Sequence, residues 1–178
     1  MNILKSYYEK VIKYDLINKF SYIHLDEVPR LKKIILNFGC KNFELKNLAP
    51  TLLSLELITQ REGFLTRARR SNILLKVRKG NPTGCFITLQ RNEMYSFLFK
   101  LLTETFPNLK DFKGLGISNK LGKASFSLTI KDLISFKELE KQFYLFGKLP
   151  PLNVILITNT KSKKELLYLL RSLKLPII

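Results

Sequence analysis

Apolar and polar residues alternate along several stretches of the chain, as expected for strands that bury only one face. In residues 30–38, Ile34, Leu36 and Phe38 share one side, while Asn37 lies on the other. The predicted strands are residues 30–38, 64–66, 73–79, 85–90, 125–130 and 152–158. Half-buried strands of this kind need a helical layer on their apolar side only.

Apolar residues at helical spacing indicate four helices around these strands. The first spans residues 3–20, and the second spans residues 41–59, which Pro50 is able to break. A third helix follows Asn92, whose side chain is suited to cap a helix N-terminus. Ser162, with a glutamate three residues later, forms a capping-box pattern that starts a C-terminal helix.

The mixture of elements predicts an α+β fold, with α/β as the other class that the pattern allows. We expect an open mixed or antiparallel β-sheet with helices on one face and an uncovered face on the other. The side chains expected on the uncovered face are hydrogen-bonding or cationic: Asn37, Lys76, Arg78, Thr88, Gln90, Ser127 and Thr129.

The length of the chain, 178 residues, suits a single domain over residues 1–178. Within it we expect an N-terminal helix at residues 3–20, a sheet-and-helix core at residues 28–178 and a hairpin at residues 73–90. The hairpin is predicted to turn through residues 80–84, because Gly, Asn and Pro favour tight turns.

Charge is the strongest compositional signal. The 31 Lys and Arg residues outnumber the 14 acidic residues, for a formal net charge of +17 and a pI of about 9.9. Such a charge is normally neutralised by a polyanion, most often nucleic acid. The rival hypothesis is a peripheral membrane protein that uses helix 3–20. No membrane span is expected, because no uncharged apolar stretch reaches the roughly 18 residues that a span needs.

The residue types needed for catalysis or metal binding are sparse. One histidine, His24, and two cysteines, Cys40 and Cys85, do not supply a tetrahedral zinc site. The segment 116–123 differs from a phosphate-binding loop in its glycine spacing, and Ala124 stands where Ser or Thr would hold magnesium. We therefore expect no catalytic residue, no metal and no cofactor. An RNA nuclease is disfavoured because no acid cluster is available for magnesium.

The segment 65–85 concentrates six cations: Arg67, Arg69, Arg70, Lys76, Arg78 and Lys79. No acidic residue occurs between Glu62 and Glu93. An ordinary solvated surface intersperses both signs of charge. The unmixed run therefore favours contact with RNA over a merely solubilising surface.

Four segments occur in the order and spacing of one protein family. They are VPRLKKIILNFG at residues 28–39, LTRARRSNILLKVRKGNPTGCFITL at 65–89, LKDFKGL at 109–115 and NVILITNTKSKKE at 153–165. On these segments the sequence closely resembles the bacterial-type large-subunit ribosomal protein L-five family. The resemblance spans nearly the whole chain. It implies a structural component of the large ribosomal subunit that binds 5S rRNA in the central protuberance.

The resemblance also implies which residues touch RNA. The family's 5S-contacting positions match Asn37, Gln60 and Thr88, and its RNA-binding region matches Arg67, Arg69 and Arg70. Further candidate RNA-binding residues are Lys76, Arg78, Gln90 and Arg91. The family's loop that reaches toward peptidyl-site tRNA matches Lys79, Gly80, Asn81, Pro82 and Thr83. The implied partners are 5S rRNA, large-subunit rRNA, peptidyl-site tRNA, a small-subunit head protein and neighbouring large-subunit proteins.

One departure from the family affects the end of the predicted hairpin. Where the family usually has Arg-Gly after Thr-Leu, this chain has Gln90-Arg91, so the cation is displaced by one residue. The abundance of Lys, Ile, Leu, Phe and Asn indicates an AT-rich genome. The N-terminus also lacks the pattern of a signal or transit peptide. We therefore expect an organelle-encoded protein of the mitochondrial ribosome, with a plastid or the bacterial cytoplasm as alternatives.

Overall fold

Five strands form one sheet. They are β1 (Leu31–Gly39), β2 (Phe64–Arg67), β3 (Pro82–Gln90), β4 (Ser125–Ile130) and β5 (Leu152–Thr158). Their order across the sheet is β2-β3-β1-β5-β4. This computed structural model describes residues 2–39, 45–73, 77–110, 112–116 and 121–178, the side chains of residues 45–47 excepted. The sheet is open and antiparallel, which confirms the predicted α+β class.

The helices in the described residues lie before, between and after the strands. They are α1 (Ile3–Tyr7), α2 (Lys13–Lys19), α3 (Leu45–Thr59), α4 (Arg91–Lys100), α5 (Phe106–Asn108), α6 (Lys137–Glu140), α7 (Phe143–Phe146) and α8 (Lys163–Ser172). Two π-helical turns, Tyr8–Ile12 and Leu101–Thr105, join α1 to α2 and α4 to α5. Single 3-10 turns occur at Leu25–Glu27 and Leu133–Ser135.

The chain divides into two compact units, each assembled from separate stretches. The first unit contains Met1–Ile34, Leu89–Leu128 and Ile155–Ile178, and the second contains Ile35–Thr88 and Thr129–Val154. Strands β1, β3, β4 and β5 each have one end in the first unit and the other end in the second, whereas β2 belongs to the second unit alone. The single domain expected from chain length stays a prediction.

The first unit buries the apolar face of the N-terminal helices. Leu4, Tyr8, Ile12 and Leu16 recur every four residues and are all buried, which is the spacing of one helix face. In the same unit the predicted capping box of the last helix is present. The Ser162 hydroxyl accepts the backbone N–H of residue 165 at 3.2 Å.

The second unit packs α3 against the apolar side of β3. Leu48, Leu55 and Ile58 of the helix are buried, and the Cys85 Sγ lies 3.4 Å from the hydroxyl of Thr51 on α3. The strand alternation is as predicted, because the residues at 85, 87 and 89 are buried while those at 86, 88 and 90 are not. Helix α3 therefore covers one side of this part of the sheet.

Strand β3 has a different partner from the predicted one. It pairs antiparallel with β2, Phe64 opposite Phe86 and Thr66 opposite Gly84. The pairing of residues 73–79 with 85–90 is therefore wrong. Residues 74–76 lie outside the described residues, and Val77 forms an isolated bridge with residue 72. Gly84 is needed within the hairpin, because a Cβ there would collide with the backbone carbonyl of Phe38 on β1.

Two local helix signals also differ from the structure. Pro50 lies inside α3 without ending it, because the buried residues on both sides of it hold the helix against the sheet. The N-cap of α4 is Gln90 rather than Asn92. The carbonyl oxygen of Asn92 instead accepts a hydrogen bond from the side-chain amide of Asn2 at 2.8 Å.

Candidate nucleic-acid interface

Two polar side chains on the uncovered side of the second unit have no partner within the described part of the protein. Asn37 on β1 and Thr88 on β3 are both half-buried and lie between buried core residues of their strands. Within the described residues, neither side chain forms a hydrogen bond. By contrast, the Thr129 hydroxyl of β4 donates to the Asn153 side chain of β5 at 2.9 Å. Half-buried polar groups without partners are suited to bind an external polar ligand.

Gln60 follows α3 in an unusual backbone conformation. Its φ of 55° is in the left-handed region, and its N–H donates to the Glu56 carbonyl at 2.7 Å. Glycine is the residue that most easily occupies this position at a helix end. Gln60 is exposed, so the chain places an extended amide side chain where the backbone would favour glycine. Left-handed residues other than glycine are enriched at functional sites.

Arg67 and the described residues between β2 and β3, 68–73 and 77–81, form an arm whose two sides are joined by backbone hydrogen bonds. The N–H of Ala68 donates to the Asn81 carbonyl at 2.8 Å, and the N–H of Gly80 donates to the Ala68 carbonyl at 2.9 Å. Further along, Asn72 and Val77 exchange two backbone bonds of 2.9 and 3.0 Å. The arm therefore extends the β2–β3 hairpin as far as the bridge between Asn72 and Val77.

Five of the cations predicted to contact RNA lie on this arm. Arg67, Arg69, Arg70, Arg78 and Lys79 are all exposed. In the part of the chain that the structure describes, none of the five forms an ion pair. Lys76 lies outside the described residues. Because an unpaired exposed cation keeps its full charge for a ligand, the arm is suited to contact phosphates.

The five residues of the predicted tRNA-facing loop are not in a single loop. Lys79, Gly80 and Asn81 form a turn, with Gly80 at a φ of 92°, whereas Pro82 and Thr83 belong to β3. The Thr83 hydroxyl is 3.3 Å from the Thr66 hydroxyl of β2. The loop predicted from Gly and Pro therefore extends too far, because β3 begins at Pro82.

Gln90 and Arg91 belong to the first unit, where both are exposed. Arg91 begins α4 with a φ of 52°, again in the left-handed region. The displaced cation is thus held in an uncommon backbone conformation for a residue with a side chain.

Sequence reasoning missed an aromatic pair on the β2–β3 hairpin. Phe64 on β2 and Phe86 on β3 are direct cross-strand partners with ring centroids 5.8 Å apart and ring planes at 37°. Phe64 is 60% exposed. The side of Phe86 follows from the alternation of its strand, because it is two residues before Thr88 and therefore on the same side. The signal for Phe64 was absent, because a four-residue strand is too short to show a period.

The two alternatives to RNA binding are a metal site and a contact with a membrane. Among the described residues, no cluster of His, Cys, Asp or Glu is arranged to hold a metal ion. No helix in the described ranges has the length and apolar character needed to cross a bilayer. The apolar face of the N-terminal helices, which a peripheral membrane protein would insert into lipid, is buried inside the first unit.

Comparison with known proteins identifies the family. Residues 82–177 match the family model that describes the C-terminus of the ribosomal protein L-five family. The large ribosomal subunit protein uL5m of Reclinomonas americana is 38% identical over 179 residues, covering 99% of this chain and 98% of that protein. The chain belongs to the ribosomal protein L-five family. This confirms the resemblance found in the sequence.

Bacterial members of the family are similar to the chain to nearly the same degree. The large ribosomal subunit protein uL5 of Clostridium acetobutylicum is 35% identical over 175 residues, which is 97% of this chain and 96% of that protein. The protein of the same name from Mycoplasma pneumoniae is 33% identical over 180 residues, covering 100% and 99%. Members of the L-five family are structural rather than catalytic, which confirms that the chain is not an enzyme.

Proposed function

We propose that the chain is a structural constituent of the large ribosomal subunit that binds 5S rRNA in the central protuberance. The observation that carries the proposal is the pair of half-buried side chains of Asn37 and Thr88, unpartnered among the described residues, beside an arm of unpaired cations. Family membership supports the ribosomal part of the proposal. The binding work is positioning: the protein holds RNA in place and performs no turnover.

The two kinds of residue have different roles in binding. The arm cations other than Lys79 neutralise phosphates of 5S rRNA and supply most of the affinity, which makes binding depend on salt. If about six phosphates are neutralised, affinity falls by about three orders of magnitude between 50 and 200 mM salt. The polar groups of Asn37, Gln60 and Thr88 donate to or accept from fixed RNA atoms, and so set the register of the complex.

The test is a titration of the protein with a 5S rRNA transcript from Clostridium acetobutylicum at several salt concentrations. Thr88→Val and Asn37→Ala are each expected to weaken binding by about threefold to tenfold, because each removes one hydrogen bond. The slope of log affinity against log salt is expected to stay the same, because no charge is lost. Thr103→Val, a change at an exposed threonine in the first unit, is the matched control and should leave affinity unchanged. If Thr88→Val and Asn37→Ala bind as tightly as Thr103→Val and the unaltered protein, the proposed RNA-binding face is wrong.

We also propose that the turn at Lys79–Asn81 contacts peptidyl-site tRNA and that the protein meets a small-subunit head protein. Support comes from the exposure of Lys79 and Asn81 on the arm, together with the family resemblance. Combined Lys79→Ala and Asn81→Ala changes are expected to spare 5S rRNA binding but to reduce retention of peptidyl-site tRNA by purified ribosomes. Loss of 5S rRNA binding instead would contradict this division of roles. Deletion of residues 81–83 is a poorer test, since Pro82 and Thr83 pair within the sheet.

We propose the mitochondrial ribosome as the location. The similarity to the Reclinomonas americana protein named uL5m supports this assignment, and the similar identity of bacterial relatives leaves plastid and bacterial ribosomes as the alternatives. Sedimentation of large subunits from isolated mitochondria, followed by mass spectrometry and sequencing of the RNA in the same fractions, tests the location. Recovery of the protein only in plastid or bacterial large subunits would overturn it.

A further inference from the structure

The Phe64–Phe86 pair is an apolar surface on the side of the β2–β3 hairpin that also carries Thr66 and Thr88. On β3, the core side is formed by Cys85, Ile87 and Leu89, which are nearly inaccessible to solvent. Phe86 lies on the opposite side and is half-buried, while Phe64 across from it is 60% exposed. The pair therefore fills no cavity in the core, and one ring keeps most of its surface in water.

The rings lie among groups already proposed to bind RNA. Thr88 is two residues from Phe86 on the same strand, which is about 7 Å along the strand on the same side. The exposed cations Arg67, Arg69 and Arg70 continue the chain from β2 into the arm and are unpaired among the described residues. An apolar surface with a lone hydroxyl beside it, on a hairpin that also carries cations, matches the flat base, the polar edge and the phosphate of a nucleotide.

We propose that Phe64 and Phe86 form a stacking site for one unpaired base of 5S rRNA. This inference rests on the proposed function, since it names what part of the RNA the same face takes up. Unpaired bases are the parts of RNA whose flat faces are accessible, and stacking on an aromatic side chain strengthens their binding. The base faces the aromatic pair, the arm cations contact phosphates of the same RNA, and Thr88 forms a hydrogen bond with a neighbouring polar atom.

A purely structural role for the pair makes a different prediction. Cross-strand aromatic pairs also stabilise a sheet without any ligand. Replacement of either ring by leucine keeps much of the apolar area and removes the aromatic face. The leucine variants therefore lower RNA affinity if the rings stack on a base, and they affect only thermal stability if the rings serve the sheet alone.

The first experiment measures affinity. Phe64→Leu and Phe86→Leu are titrated with the 5S rRNA transcript, and each is expected to bind about tenfold more weakly with an unchanged salt slope. Phe143→Leu is the matched control, because Phe143 on α7 is also 60% exposed and lies in the same unit. Circular dichroism and thermal unfolding show that each variant is folded.

The second experiment uses the absence of tryptophan from the chain. Phe64→Trp introduces a single tryptophan that retains an aromatic face, so affinity is expected to be kept and the tryptophan fluorescence quenched when 5S rRNA binds. Phe143→Trp should show no quenching. Full affinity in both leucine variants, or an unquenched Phe64→Trp complex, would overturn the stacking site.

The outcomes separate the two proposals. If the unaltered protein binds no 5S rRNA, the proposed function fails and the stacking site fails with it. If the unaltered protein binds and the leucine variants bind equally well, the stacking site alone fails. If the leucine variants bind 5S rRNA normally but no longer co-sediment with large subunits, the pair contacts a ribosomal protein, and the inference is again wrong.

Discussion

Two asparagines, one in each unit, are used in opposite ways. In the first unit, the side chain of Asn159 accepts from the Arg30 N–H at 2.6 Å and donates to the carbonyls of Asp26 and Val28 at 3.1 and 3.0 Å. In the second unit, Asn37 has no such bond within the described residues. One asparagine is used up by the fold, and the other keeps its hydrogen-bonding capacity for a ligand.

The same difference extends to charged groups. The ammonium of Lys161, in the first unit, lies 2.6 Å from the Glu27 carboxylate. Its hydrogen bond lowers the pKa of that carboxyl below its ordinary value. The cations of the arm in the second unit have no such acidic partner among the described residues. The proposed function assigns the groups without internal partners to RNA binding.

The largest effect is expected from the arm. Combined Arg67→Ala, Arg69→Ala and Arg70→Ala changes are expected to lower 5S rRNA affinity by roughly two to three orders of magnitude at 0.1 M salt, because each phosphate contact adds about 0.9 to the salt slope. The slope itself is expected to decrease in the same measurement. The matched control is Lys163→Ala with Lys164→Ala and Arg171→Ala, which removes the same charge from exposed positions on α8 in the first unit. Equal losses in both triple variants would mean that net charge alone governs binding.

The two asparagines provide the next test. Asn159→Ala is expected to lower the free energy of unfolding by about 2–3 kcal/mol, because it removes three hydrogen bonds and leaves their backbone partners unpaired. Asn37→Ala is expected to change that free energy by less than about 0.5 kcal/mol. Urea denaturation measures both values. A large loss of stability in Asn37→Ala would show that its amide has a structural role after all.

Gln60 and Lys174 form a further matched pair. Both are exposed residues with positive φ, 55° and 63°, one after α3 and the other after α8. Gln60→Gly and Lys174→Gly are each expected to raise the free energy of unfolding by about 0.5 kcal/mol, because glycine occupies this conformation without strain. Only Gln60→Gly should weaken 5S rRNA binding through a lost hydrogen bond. If the two variants bind alike, Gln60 does not contact the RNA.

The smallest effect concerns a tyrosine buried in the first unit. Burial raises the pKa of Tyr8 to about 12 from 10.0, and its hydroxyl donates to the Pro29 carbonyl at 2.8 Å. Because the folded state holds this proton more tightly, its contribution is complete below pH 10 and is lost as the pH rises through about 12. Denaturation at about pH 9 and about pH 11 should therefore show a steeper alkaline loss in the unaltered protein than in Tyr8→Phe. Tyr14→Phe, a change at an exposed tyrosine, should preserve the loss.

Local patterns predicted much of this molecule. The buried faces of β1, β3 and β4 follow from a period of two, and the start of α8 follows from Ser162 and its capping partner. These features depend on residues close together in the chain. The uncovered side that carries Asn37 and Thr88 followed from the same alternation.

Long-range pairing was less accessible. Residues 73–79 alternate as well as any strand, yet β3 pairs with Phe64–Arg67, because strand pairing depends on which segment can align its backbone groups along the whole hairpin. The place of Phe64 beside Phe86 became visible only with that register. Likewise, the left-handed conformation of Gln60 depends on how α3 ends, and propensity alone would have placed glycine there.

The backbone bonds of the arm have a consequence for how this protein can change over generations. Since main-chain groups of Ala68, Asn72, Val77, Gly80 and Asn81 hold the arm together, most of its side chains can be exchanged at little cost to folding. The number and position of its positive charges can thus change while the backbone that presents them keeps its hydrogen bonds.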